Sequence, residues 1–130
     1  MAYQNILLID DDIDDHEIFS AALGQLPGMV TYSAHSNATE ALEQLTAELL
    51  KPDLIFLDLN MPVMNGQEFL TAVKRNEKLR NIPVIIFSTS SNSDTIRQTK
   101  ELGAKDFITK PDRFDTLVLL LQSLLSIAND

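Results

Sequence analysis

The amino-acid sequence predicts an α/β protein in which helices cover both faces of a parallel sheet. Three short runs of mostly branched apolar residues, at 6–9, 54–57 and 84–87, lack polar alternation. Such runs are typical of strands that are buried on both faces. Two weaker strand candidates lie at residues 29–34 and 106–109. Helical patterns separate the five candidates, and this alternation implies right-handed crossovers between parallel strands.

Apolar residues between the strand candidates recur at helical spacing. Asn37 followed by Glu40 resembles a capping box at the start of the second helix. We expect the first helix to end at Pro27 and Gly28, and residues 112–128 to form a strongly apolar last helix. The stripes expected to face the core are Ile18, Phe19, Ala22, Leu23 and Leu26; Ala38, Ala41, Leu42, Leu45 and Leu49; and Phe69, Leu70 and Val73.

The composition is that of one soluble domain, which we expect to span residues 1–130. The absence of cysteine from the sequence excludes disulfides, cysteine nucleophiles and thiolate metal sites. The net charge is -9, and six acidic residues fall between Asp10 and Glu17. This acidity argues against direct binding to nucleic acid or to anionic membranes. The sequence has no signal peptide and no apolar stretch of membrane-spanning length, so we expect a cytoplasmic protein.

Polar residues follow four of the five strand candidates at their carboxyl ends. They are Asp10 and Asp11, Asp58, Ser88, and Lys110. In a parallel sheet these ends share one edge, where ligands bind. Clustered carboxylates repel one another unless a hard cation lies among them, and oxygen ligands suit Mg²⁺ or Mn²⁺. A phosphoryl group on Asp58 would then share its charge with the metal, Lys110 and Ser88.

Two other motifs compete for the acidic segment. Asp10, Asp12 and Asp14 have the spacing with which an EF-hand loop begins. That loop needs Gly at its sixth place and Glu at its twelfth, which here are Asp15 and Ala21. Haloacid dehalogenase-like phosphatases also place Asp-x-Asp after a first strand, but with Thr or Val where Asp14 stands. The chain also lacks room for their cap domain, so a phosphatase is the less favoured hypothesis.

Four motifs are spread along most of the length of the chain. They are ILLIDDD at residues 6–12, DLIFLDLNMPVMNG at 53–66, PVIIFSTS at 83–90 and GAKDFITKP at 103–111. In this order and spacing they resemble the receiver domain of two-component response regulators. The resemblance implies a doubly wound, five-stranded sheet of order 2-1-3-4-5, as in flavodoxin-like and CheY-like folds, with helices on both faces.

The resemblance also implies roles for the acidic residues. Asp58 would be the phosphoacceptor. Asp10 and Asp11 would be the acidic pair that holds Mg²⁺ or Mn²⁺ together with Asp58. Asn60 would lend its backbone carbonyl to the metal.

The remaining implied roles concern phosphate binding and switching. Lys110 would be the phosphate-binding cation, and the bond between Lys110 and Pro111 would be a cis peptide. Ser88 would be the switch hydroxyl and Phe107 the switch aromatic. Thr89 is larger than the very small residue usual in the family, and we expect it to slow access by phosphodonors.

The implied function is phosphotransfer signalling. A phosphohistidine of a sensor histidine kinase or phosphotransfer protein would supply the phosphoryl group, and a protein–protein interaction surface would switch in response. We expect a signalling domain rather than an enzyme, limited to self-phosphorylation and slow self-dephosphorylation. The alternative is an interaction module of the same fold that works without phosphorylation, which the intact Asp58, Ser88 and Lys110 disfavour.

A partner surface is predicted from apolar residues that point away from the core. At 100° per residue, Leu119 lies almost opposite the core face of the last helix, and Leu120 and Ile127 flank it. Ile96 belongs to the preceding helix, which has few large apolar residues and is expected to move on phosphorylation. The surface would bind a second copy of the chain or a downstream protein. Alternatively, scattered surface leucines carry no function.

Overall fold

Within the described residues, five strands alternate with five helices, as the sequence predicts. The computed structural model describes residues 3–28, 30–90 and 92–127, with side chains through Leu125. The predicted strands differ from the observed ones by at most two residues at an end, and Met29 lies outside the described residues. The strands are β1 (Asn5–Ile9), β2 (Thr31–His35), β3 (Leu54–Leu57), β4 (Val84–Ser88) and β5 (Asp106–Thr109).

Four of the helices begin at an Asp or Asn whose side chain accepts a backbone hydrogen bond from the first turn. Such a cap satisfies an N–H group that the helix itself leaves unpaired. The capping residues are Asp12, Asn37, Asn65 and Asn92. The helices are α1 (Ile13–Gly24), α2 (Ala38–Thr46), α3 (Gly66–Arg75), α4 (Ser93–Glu101) and α5 (Phe114–Ile127).

The strands are parallel and lie in the order β2-β1-β3-β4-β5, which confirms the topology implied by the resemblance. Ile9 pairs with both His35 and Leu57, so that β1, β2 and β3 end level with one another. The ladder continues one residue further, because the Asp58 N–H donates to the Ile9 carbonyl at 2.9 Å and the Asp10 N–H to the His35 carbonyl at 3.0 Å. The register therefore places Asp10 and Asp58 side by side at the carboxyl edge.

Each face of the sheet has its own apolar core, because successive side chains of a strand point to opposite faces. On one face, Leu7 and Ile9 pack with α2 and α3. On the other face, Ile6 and Leu8 pack with α1 and α5. Burial on both faces explains why β1, β3 and β4 are unbroken apolar runs in the sequence.

Two residues predicted to face the core are exposed. The helix α2 ends at Thr46, and Glu48 then adopts a φ of 62°, after which the Leu49 residue is 75% exposed. Ile18 on α1 is 46% exposed. Both predictions were wrong because helical spacing alone does not locate the end of a helix or the width of its buried stripe.

The capping box was predicted at the wrong helix. Asn37 does accept the backbone N–H of Glu40 at 3.0 Å, but the reciprocal pair occurs at α3. There Asn65 accepts from the Glu68 N–H, and the Glu68 carboxylate accepts from the Asn65 N–H.

The last helix begins at Phe114, two residues later than predicted, and residue 128 lies outside the described residues. The chain reaches this helix through Pro111, whose peptide bond with Lys110 is trans. The implied cis bond is therefore wrong for this structure, which has the form that most bonds before proline take in folded proteins. No helix in the described part of the chain is both long and apolar enough to cross a membrane.

Gly66, the first residue of α3, lies so close to the end of β3 that a side chain does not fit. A Cβ atom at this position would be 2.5 Å from the Asp58 carbonyl oxygen and 2.7 Å from the Leu59 Cα. The Gly66 N–H also donates to the Leu59 carbonyl at 3.0 Å. This approach ties the loop that contains Asn60 to the strand end that carries Asp58.

We expect Gly66→Ala to lower the free energy of unfolding by about 1–3 kcal/mol, because backbone atoms must move to admit the methyl group. Gly24→Ala is the matched control, since a Cβ atom there meets nothing within 4 Å. Gly24 ends α1, so alanine should leave stability unchanged or raise it by up to about 1 kcal/mol. Urea unfolding measures both variants. Equal stabilities would contradict the close packing at Gly66.

Candidate functional site

A cleft of about 390 Å³ lies at the carboxyl edge of the sheet. Its walls come from the segments that follow β1, β3, β4 and β5, the same strand ends from which the sequence predicted a site. The structure brings Asp11, Asp58 and Lys110 together here. The lining residues are Asp11, Asp12, Asp15, Asp58, Asn60, Thr89, Lys110, Pro111 and Asp112.

Three carboxylates converge at the base of this cleft. One oxygen from each of Asp10, Asp11 and Asp58 lies within 4.8 Å of the other two. Burial raises the pKa of Asp10 to about 6, although the hydrogen bond from Lys110 opposes this shift. Burial also raises the pKa of Asp58, against the charge of Lys110. Asp11 is exposed. Because carboxylates at this distance resist ionisation together, and two of the three are buried, the three oxygens fit a hard divalent cation such as Mg²⁺ or Mn²⁺.

Asp10 is fixed in place by contacts on both its side chain and its backbone. Its Oδ1 accepts the Asp12 N–H at 2.9 Å, and its Oδ2 accepts the Lys110 ammonium at 2.7 Å. The His16 Nε2 lies 2.5 Å from the Asp10 carbonyl oxygen. His16 is half-buried, and this contact places it beside the site, which sequence spacing did not predict.

The Lys110 ammonium lies among three carboxylates. Its Nζ is 2.6 Å from Asp15 Oδ2, 2.7 Å from Asp10 Oδ2 and 3.8 Å from Asp58 Oδ1. Burial alone would lower the pKa of Lys110, but the hydrogen bonds to Asp10 and Asp15 outweigh it and hold the pKa above its ordinary value. The group therefore stays charged beside Asp58. Its Nζ also lies 5.8 Å from the centroid of the Phe87 ring, within the range of a cation–π contact.

The last residue of β4 and the residue that follows it differ in their access to the cleft. Ser88, the predicted switch hydroxyl, is fully buried, and its Oγ accepts the Ser90 N–H at 3.3 Å. Thr89 is exposed and forms part of the cleft wall. Asn60 lies on the loop between β3 and α3, and its side-chain amide donates to Ser90 Oγ at 3.5 Å. Thr89 lines the cleft that holds Asp58, and the expectation that it slows access by phosphodonors stays a prediction.

The helix α4 is weakly anchored to the rest of the fold. Of its residues, all of which the structure describes, Thr99 alone is buried, and Ile96 is 37% exposed. The Thr99 hydroxyl bonds only within the helix, to carbonyls one turn earlier. Phe107 on β5 is half-buried and packs against the core on the α2 and α3 face. An element with so little buried surface has low local stability.

The structure describes the side chains of two of the three α5 residues predicted to form a partner surface. Leu119 is 67% exposed, as expected. Leu120 is half-buried and packs against the core shared by α1 and α5, so it belongs to the core side of the helix. The side chain of Ile127 lies outside the described residues.

Asp15, like His16, is a site residue that the sequence reasoning missed. It was considered only as a position in a rejected calcium loop, yet its carboxylate contacts Lys110 and lines the cleft. The available signal was its place in the first turn of α1, directly after the Asp12 cap. A residue there stays close to the end of β1.

Comparison with known proteins defines the class to which this fold and cleft belong. The family model of the response regulator receiver domain matches residues 6–122. The chain therefore belongs to the response regulator receiver domain family.

Individual relatives agree with this assignment. The sensory transduction protein BceR of Halalkalibacterium halodurans is 33% identical over 122 residues, which are 92% of this chain and 49% of BceR. The chain spans about half, or less, of the length of the curated relatives it matches. Some of them, such as a protein-glutamate methylesterase of Bacillus subtilis, are enzymes.

Solved structures of two response regulators are similar along almost their whole length. The phosphorylated cyanobacterial phytochrome response regulator RcpA has a TM-score of 0.84 and 31% identity, covering 95% of this chain and 91% of RcpA. The Mn²⁺-bound form of response regulator Rcp1 has a TM-score of 0.85 and 28% identity, covering 96% of this chain and 94% of Rcp1.

The raised pKa of Asp10 predicts that the metal-free protein loses stability as the pH rises from about 4 to about 6. The ordinary pKa is 3.8 and the folded value is about 6. Between them the folded state binds more protons than the unfolded state, so the free energy of unfolding falls with rising pH. The loss should be on the order of 1–3 kcal/mol.

Urea unfolding of the wild type and Asp10→Asn at several pH values measures this contribution as the difference between the two curves. Mg²⁺ should stabilise the wild type more at pH 7 than at pH 5, because its ligands must be ionised. A wild-type stability that rises relative to Asp10→Asn across this interval would contradict the burial of the Asp10 carboxyl.

Proposed function

We propose that this chain accepts a phosphoryl group on Asp58 from the phosphohistidine of a histidine kinase or phosphotransfer protein. The observation that carries the proposal is the cluster of Asp10, Asp11 and Asp58 oxygens, with the Lys110 ammonium 3.8 Å from Asp58. This arrangement combines a carboxylate acceptor with groups that neutralise the charge of an incoming phosphoryl group. The phosphorylated state of the related RcpA and the Mn²⁺-bound state of Rcp1 support it.

A divalent cation has ligands available in this cleft. Asp10, Asp11 and Asp58 would hold it, and we propose that the backbone carbonyl of Asn60 completes the set. When bound, Mg²⁺ or Mn²⁺ would neutralise the carboxylates that otherwise repel an anionic donor.

The transfer step is a displacement at phosphorus. A carboxylate oxygen of Asp58 forms the new bond to phosphorus, while the bond from phosphorus to the imidazole nitrogen of the donor breaks and that nitrogen keeps the electron pair. Lys110 would donate to an oxygen of the transferred group, and the Ser88 hydroxyl would donate to another. The buried Ser88 must become accessible for this contact, which couples the step to movement after β4.

We propose a signalling role in the cytoplasm rather than turnover of a substrate. Phosphorylation would be read by a partner protein, or by a second copy of the chain, and not by direct contact with nucleic acid. The readout surface would include α4, because it follows Ser88 and has little buried surface, and Phe107, which lies half-buried on the strand that pairs with β4. Ile96 and Leu119 are the exposed apolar residues that would contact the partner.

The first expected result is that Asp58 is modified only when a divalent cation is present. Acetyl phosphate with Mg²⁺ should add one phosphoryl group to the wild type, located at Asp58 by mass spectrometry, and none to Asp58→Asn. Asp112→Asn is the control, because it removes the same charge from the same cleft. Modification of another residue, or undiminished modification in excess chelator, would disprove the proposal.

The second expected result concerns the conformational response. Amide hydrogen exchange should change on phosphorylation in residues 88–90 and 92–108, which include α4 and Phe107, because this region is the least anchored part of the site. The controls are Asp58→Asn under the same conditions and α2, which packs deeply through Ala38, Ala41 and Leu45. Exchange that changed only beside Asp58 would contradict the proposed switch.

A further inference from the structure

The position of the Lys110 ammonium raises the question of what holds it before phosphorylation. Its two shortest contacts are to Asp15 Oδ2 at 2.6 Å and Asp10 Oδ2 at 2.7 Å, whereas Asp58 Oδ1 is 3.8 Å away. An ammonium has three N–H donors, and only distances near 2.9 Å are those of good hydrogen bonds. In this state two of its donors are therefore directed to carboxylates other than Asp58.

Asp15 differs from Asp10 in how it is held. Asp10 is fully buried and also bonds the Asp12 N–H, so its position is fixed by the end of β1. Asp15 lies on α1, and its side chain is 25% exposed. Water can therefore solvate the Asp15 carboxylate if the ammonium leaves, which makes Asp15 the partner that Lys110 can give up at lower cost.

Acidic residues are favourable in the first turn of a helix, because they interact with the helix dipole. This preference alone would account for an acidic residue at position 15, even if it had no role in the site. It does not explain the direction of the side chain. An acid that served only the helix dipole would remain in water, as the exposed Asp14 does one residue earlier. The Asp15 carboxylate instead contacts a cation that is only 12% exposed.

We propose that Asp15 is a positioning residue that holds Lys110 away from Asp58 in the resting state and releases it when Asp58 is phosphorylated. This inference rests on the proposed function. A phosphoryl group has a charge of about -2 at neutral pH and offers three acceptor oxygens in place of a carboxylate. It therefore competes with Asp15 for the same ammonium, and the strength of the Asp15 contact sets part of the cost of switching.

Removal of the contact should favour the phosphorylated state. In Asp15→Asn, Lys110 keeps Asp10 but has lost its ion pair with Asp15. Formation of the bond between Asp58 and phosphorus, with departure of acetate from acetyl phosphate, then no longer requires Lys110 to leave Asp15. The loss of a partly exposed ion pair changes a rate or equilibrium constant by a factor of about five. We expect phosphorylation of Asp15→Asn to be about that much faster than phosphorylation of Asp112→Asn, and the phosphorylated form to hydrolyse more slowly.

The control variant separates this effect from a simple loss of negative charge. Asp112 lines the same cleft and is exposed, and within the described residues it forms no hydrogen bond or ion pair with Lys110. Both substitutions thus remove one charge near the entering donor, but only Asp15→Asn changes a direct contact of Lys110.

The experiment measures phosphorylation rates with acetyl phosphate and saturating Mg²⁺ in both variants, each in the wild-type and Lys110→Met backgrounds. The excess acceleration in Asp15→Asn should disappear when Lys110 is absent, because the coupling acts through that residue. Circular dichroism confirms that each variant is folded. Equal rates for Asp15→Asn and Asp112→Asn, or an excess that persists in Lys110→Met, would overturn the inference.

A second measurement tests the contact without metal or phosphodonor. The ¹H–¹⁵N signal of the Lys110 ammonium, identified by its loss in Lys110→Met, should exchange with water faster in Asp15→Asn than in Asp112→Asn. Identical exchange would overturn the inference independently of any activity. If the wild type gains no phosphoryl group on Asp58 at all, the proposed function fails. If the wild type reacts but Asp15→Asn and Asp112→Asn behave alike, only the inference about Asp15 fails.

Discussion

The balance of charge between one ammonium and its surrounding carboxylates is the constraint on which the rest of the site depends. Lys110 is nearly buried, within 4 Å of Asp10, Asp15 and Asp58. Burial raises the pKa of both Asp10 and Asp58, so the cluster is costly to charge fully without a further cation. Under the proposed function, a metal ion and a phosphoryl group would act on this balance in complementary ways, since the metal ion would supply positive charge and the phosphoryl group would compete for it.

The parallel sheet is what makes this concentration of charge possible. The sheet is apolar on both faces and rigid, and its ladders run one residue beyond β1 and β3 to fix the backbones of Asp10 and Asp58. Gly66 holds the following loop against the same strand end. The helix that follows β4 is held less firmly, because α4 has little buried surface. The fold thus places Asp58 at the end of a buried strand and beside an element with little buried surface, which is the arrangement that the proposed phosphorylation switch requires.

Sequence patterns were sufficient to predict a parallel sheet covered on both faces, because unbroken apolar runs and strand-end polar residues follow directly from such a sheet, whereas the strand order was implied by the resemblance to receiver domains. They also located Asp10, Asp11, Asp58 and Lys110 near one another, since the topology alone decides which strand ends meet. They failed where the outcome depends on side-chain direction. Nothing in the spacing showed that Asp15 turns towards Lys110 while Leu49 points into water. These outcomes depend on helix ends and local packing, which have no simple period.

The most direct test of the account is a crystal structure of the protein with Mg²⁺ and beryllofluoride, an analogue of the phosphoryl group. The account predicts the analogue on Asp58, a metal ion between Asp10, Asp11 and Asp58, and the Lys110 Nζ at about 3 Å from a fluorine atom and no longer bonded to Asp15. An analogue bound elsewhere, or a Lys110 that keeps its contact with Asp15 and makes none with the analogue, would contradict it.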